Sequence, residues 1–163
     1  MAVDLDLDFN DVKIRALFGR HNRRKSGYLD ICNQLAMNNR WIDQPLLADL
    51  QTYGSLDYRN YLLTLPNGTK ILICGSEPRP EQLNLCKQLQ PDITIIQRAV
   101  SYEANIQKAE FAAAIGCKVL IPHHQDLYGK DDPEILKKFK EEFLSRVPDG
   151  TFLIPEHGKW IEI

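Results

Sequence analysis

Four histidines, with carboxylates or arginines close by, carry most of the chemistry this chain can offer. His123 and His124 come directly after the apolar run Val119–Leu120–Ile121 and Pro122, with Asp126 two residues on. His21 stands in a polar basic run with Arg20, Arg23, Arg24 and Lys25. Ser76 and Glu77 follow a second apolar run that ends at Cys74. Imidazole and carboxylate together suit zinc, manganese or iron, and the matching chemistry is hydrolysis by a metal-activated water. The metal-ligand candidates are His124 and His21, with Glu77, Asp126 and His123 behind them. Arg20, Arg23 and Ser76 are the candidates for holding a substrate, since guanidinium groups clasp phosphate or carboxylate. Each group has a plainer reading as well. His157 lies in a turn, a basic run is commonly a solvated loop, and in an extended chain His123 and His124 point to opposite sides.

Three of these groups begin where an apolar run ends, so strands must position them. Residues 2–8 alternate apolar and acidic, and Val12 to Phe18 continues beyond Phe9-Asn10-Asp11, which predicts a β-hairpin. Tyr58 to Leu65 and Thr69 to Cys74 predict a second hairpin around Pro66-Asn67-Gly68. Pro80 opens a helix through Leu89. Ile93 to Ile96 reads as a buried strand. Ser101 caps a helix from Tyr102 to Ile115, and Gly116 ends it. Val119 to Ile121 reads as the central strand, cut off by Pro122. Asp132-Pro133-Glu134 starts a last helix with Ile135, Leu136, Phe139, Phe143 and Val147 on one face. Thr151–Ile154 and Trp160–Ile163 predict two closing strands. Residues 27–54 read as two amphipathic helices or as one long insertion in a single domain of 1–163.

Helices alternating with short apolar strands define the α/β class, a sheet covered by helices. Chemistry in such sheets gathers past the carboxyl ends of the strands. If the strands ending at Phe18, Cys74 and Ile121 are neighbours, the three candidate groups share one rim. A chain of 163 residues is long enough for a real core. Its net charge of −2 gives no support for nucleic acid or an anionic membrane as partner. No apolar stretch approaches the roughly 18 residues of a membrane span, and the acidic N-terminus has no basic n-region. Cys32, Cys74, Cys86 and Cys117 form no C-x-x-C pair and read as small buried hydrophobes in a reducing, cytoplasmic setting. Neither phosphate-binding glycine motif nor a G-x-S-x-G elbow is present.

Three segments taken together resemble the metallo-β-lactamase superfamily. They are Arg59-Asn60-Tyr61-Leu62-Leu63-Thr64-Leu65-Pro66-Asn67-Gly68, then Ile73-Cys74-Gly75-Ser76, then Ile121-Pro122-His123-His124-Gln125-Asp126-Leu127-Tyr128. Within that superfamily the chain is most similar to the L-ascorbate-6-phosphate lactonase-like branch, and only to the C-terminal half of its fold. The resemblance runs over 3–163 and is poor across 27–54. It implies half of an αββα sandwich, a mixed sheet with helices packed on one face. In a complete member it also implies two divalent metals, zinc or manganese, and hydrolysis of an ester, lactone, phosphodiester or amide. By position His124 matches the last histidine ligand, Ser76 stands at the metal-bridging aspartate, and His21 lies where many members have a middle histidine.

Two departures follow from the same match. The motif H-x-H-x-D-H occurs nowhere in the chain, and serine is a far weaker ligand than the carboxylate it replaces. The expectation is therefore a protein of metal-dependent hydrolase lineage, non-catalytic by itself, with a weak metal or none. One alternative is a hydrolase completed by another chain or by a missing N-terminal half. Another is a metal-free module that binds a small anion through the Gly75–Pro80 and His123–Tyr128 loops. Half a sandwich leaves an apolar sheet face to bury, which predicts a homo-oligomer, a complementary N-terminal half, or a longer parent protein of which this chain is a fragment.

Overall fold

The computed structural model describes residues 5–18, 59–75, 80–99, 101–123, 133–156, 158–160 and 162. Two hairpins open the sheet. β1 (Leu5–Phe9) and β2 (Val12–Phe18) pair antiparallel from Phe9↔Val12 to Leu5↔Ala16. Asn10 in the connecting turn has φ 51°, a left-handed conformation that asparagine tolerates. β3 (Arg59–Thr64) and β4 (Lys70–Cys74) form the second hairpin. Its turn closes with Gly68 N–H donating to Leu65 O at 2.9 Å, and Gly68 takes φ 86°. An Asn-Gly signal after proline is thus realised as a tight turn with glycine in the left-handed position.

From β4 onward strands and helices alternate. α1 (Pro80–Leu89) leads to β5 (Ile93–Gln97), α2 (Tyr102–Ala114) to β6 (Val119–His123), and α3 (Pro133–Arg146) to β7 (Thr151–Phe152). Each terminus has a visible cause. Ser101 Oγ accepts the Ala104 N–H at the start of α2. At its end Gly116, φ 80°, lets Cys117 N–H reach Ala112 O and Gly116 N–H reach Ala113 O. Pro133 starts α3, where its missing N–H is no loss.

The strands lie in chain order, β1-β2-β3-β4-β5-β6-β7, in one mixed sheet. β4 to β7 are parallel, and β2 runs the same way because β3 is antiparallel to both β2 and β4. Parallel neighbours joined in sequence by right-handed crossovers place their helices on one side of the sheet. Leu62, Leu72, Cys74, Ile96, Leu120 and Phe152 face that side and share one core with Cys86, Phe111, Ala112, Phe139 and Phe143. The mixed α/β sheet with helices on one face is therefore as expected.

The opposite face is apolar over most of its extent, with Gln97 and His123 at the carboxyl ends of β5 and β6. By register it holds Leu7, Phe9, Ile14 and Leu63 on the hairpins, and Ile73, Ile95 and Ile121 further across. Ile93 and Ile121 are buried there, whereas Phe9 is 69% exposed, Leu7 49% and Tyr61 42%.

Three expectations about β6 and the C-terminus are corrected. The sheet centres on β4, and β6 stands next to its edge. Pro122 does not cut β6 off, since it pairs with Ile96 and the strand continues to His123. The carbonyls of Lys118 and Leu120 accept from β7 and its continuation, while His123 O accepts from Arg98. Alternation then turns Pro122 toward β7, which is only two residues long, so its missing N–H removes no rung. The second closing strand is absent at the described residues 160 and 162, and Trp160 is 99% exposed. No described helix is long and apolar enough to cross a membrane.

Candidate functional site

β2, β4, β5 and β6 all end at the same rim of the sheet. The strand ends that precede His21, Ser76 and His124 therefore lie on one side, as the sequence argument requires. They are not adjacent: β2 and β4 are two strand spacings apart, and so are β4 and β6, about 10 Å in each case. Arg20, His21, Arg23, Arg24, Ser76, Glu77, His124, Asp126, His157 and the stretch 27–54 lie outside the described residues.

His123 is the one candidate ligand that is described. It ends β6, half-buried, and its Nε2 lies 3.1 Å from Cys74 O at the end of β4. A carbonyl oxygen only accepts, so Nε2 is the donor in this contact. The imidazole thus spans the end of β5 and ties β4 to β6. Among the described residues no group of three or more His, Cys, Asp or Glu could hold a metal ion. The described donors do not fit a metal centre.

What the rim does hold is a set of buried polar side chains that fix the strand ends. Asn60 is buried on β3, and its Oδ1 accepts the Gly75 N–H at 3.2 Å. Asn105 on α2 is fully buried and clamps the chain after β5 with both ends of its amide. Ala99 N–H donates to Asn105 Oδ1 at 2.8 Å, and Asn105 Nδ2 donates to Ala99 O at 3.0 Å. Lys108, one turn further along α2 and 2% exposed, donates from Nζ to Gln97 O at 2.6 Å. Arg98 is equally buried, and its backbone N–H donates to His123 O at 2.9 Å. These rim groups are amide, imidazole, guanidinium and ammonium, with no carboxylate among them.

These residues were not singled out from sequence, although a signal existed. Asn105 and Lys108 fall on the face of α2 that buries Ala109 and Ala112. A polar residue repeated on an apolar stripe calls for a buried partner. The cysteines behave as the sequence suggests: Cys74, Cys86 and Cys117 are buried and unbonded to one another, while Cys32 lies outside the described residues. Burial pushes all three thiols up, Cys86 to about 11, so they are inert at neutral pH.

Comparison with solved structures finds a likeness of fold. The chain superposes on Igni18, a metallo hydrolase from the hyperthermophilic archaeon Ignicoccus hospitalis, with a TM-score of 0.61 and 12% identity. What the two share is the fold. The alignment takes in 98% of this chain and 57% of that one, so this chain spans little more than half of that protein's length. No family model matches the sequence, and no curated protein matches it. The result is a metallo-hydrolase-like fold in part, without distinction among branches.

Proposed function

We propose that this chain is one layer of a metallo-hydrolase-like sandwich, of metal-dependent hydrolase lineage but non-catalytic by itself, that works in association with another layer. One observation carries this reading. The chain is matched almost entirely by half of a metallo hydrolase, while its own sheet has helices on one face and apolar side chains on the other. The missing H-x-H-x-D-H motif and the serine at position 76 support the non-catalytic part. The ligand end is the carboxyl rim. Its amide, imidazole and cationic groups, with Arg20, Arg23 and Ser76 from sequence, favour a small anion such as a phosphate or carboxylate.

A second reading is a hydrolase of lactonase, esterase or phosphodiesterase type completed by another chain. It is favoured by the common rim on which β2, β4 and β6 end, since His21, Ser76 and His124 follow those strands. In that reading His124 and His21 hold zinc or manganese.

Metal content and hydrolysis separate the two. The purified chain is assayed by mass spectrometry for zinc, manganese and iron, then for turnover of a p-nitrophenyl ester, a lactone and a bis-aryl phosphodiester with each metal added. The expected result is substoichiometric metal and no turnover above buffer. Stoichiometric metal with turnover that His124→Ala abolishes would overturn the non-catalytic reading in favour of the second.

A further inference from the structure

We draw no further inference here: the strongest candidate, the cleft on the helix side of the hairpins where Lys13, Thr64 and Lys70 share one cross-strand row beside Leu89, is lined by exposed charges of both signs, Asp6, Asp8, Lys13 and Arg15, and nothing in the structure shows what it would hold.

Discussion

Replacing Asn105 with alanine removes the clamp that holds the chain after β5, and the structure sets the size of the effect. The amide makes two hydrogen bonds, from Ala99 N–H at 2.8 Å and to Ala99 O at 3.0 Å, from a side chain with no exposure. Each such bond contributes about 1 kcal/mol net, and each backbone group left buried without a partner costs about 1–3 kcal/mol. Water entering the small space left behind would recover part of that. The expected loss is therefore about 2–4 kcal/mol. With a urea m-value of about 2 kcal/mol/M for a chain of this size, the unfolding midpoint should fall by about 1–2 M. Gln107→Ala is the control, on the same helix but exposed, and should stay within about 0.5 kcal/mol. Asn105→Asp should be at least as damaging as alanine, because it keeps an acceptor for Ala99 N–H but sets a buried carboxylate against Ala99 O. A midpoint shift for Asn105→Ala no larger than that of the Gln107 control would refute the claim that this amide secures the rim.

Phe139→Ala empties a fully buried site where the ring meets Phe152 edge-on, with centroids 5.2 Å apart, and should cost about 3–5 kcal/mol by thermal or urea unfolding. Gly116→Ala adds a methyl that meets nothing within 4 Å, so only the left-handed φ of 80° opposes it, and a loss of about 1–2 kcal/mol is expected by the same assay. Cys74, Cys86 and Cys117 should resist a thiol reagent in the native protein and react once it is unfolded in denaturant. The pH dependence at the alkaline end has a definite sign. Burial holds the Cys86 proton up to about 11 against an ordinary value of 9.0, so the unfolded chain ionises first. Stability should therefore fall as pH rises through that interval, read as a declining urea midpoint.

Where local chemistry decides, the chain was readable. Asn-Gly after proline, Ser101 before α2, Gly116 after it and Pro133 at the start of α3 each act within one turn of themselves, and each does in the structure what its type requires. The α/β class and the single helical face follow from the alternation of elements. Reading failed where a neighbour decides. Pro122 looked like a strand stop because its tolerance depends on how short β7 is, and that is a property of another strand. Trp160 looked like strand from composition, yet it is almost fully exposed. At the rim, histidines and arginines drew attention because their chemistry is conspicuous. The buried amides of Asn60 and Asn105 act through backbone groups in another element or loop, at Gly75 and Ala99, so only the folded sheet reveals their role. The fold is shared with a metallo hydrolase, and that likeness distinguishes neither a superfamily nor a lactonase branch.

Strand order that follows chain order also has a kinetic meaning. Each strand pairs with the one before it, so the sheet can grow from either hairpin without threading or waiting for a distant segment. One step is unlike the rest. Forty residues separate Phe18 from Arg59, whereas two separate β1 from β2 and five separate β3 from β4. Closing a tenfold longer loop costs about 2 kcal/mol more in chain entropy. Among the described residues, the β1–β2 hairpin is held to the rest of the fold by the β2–β3 ladder and by Leu17 in the shared core. It should therefore be the last unit to join during refolding and the first to open in native hydrogen exchange, while β4, β5 and β6 exchange only with global unfolding. A nascent chain would then carry its hairpin unanchored until β3 has been made.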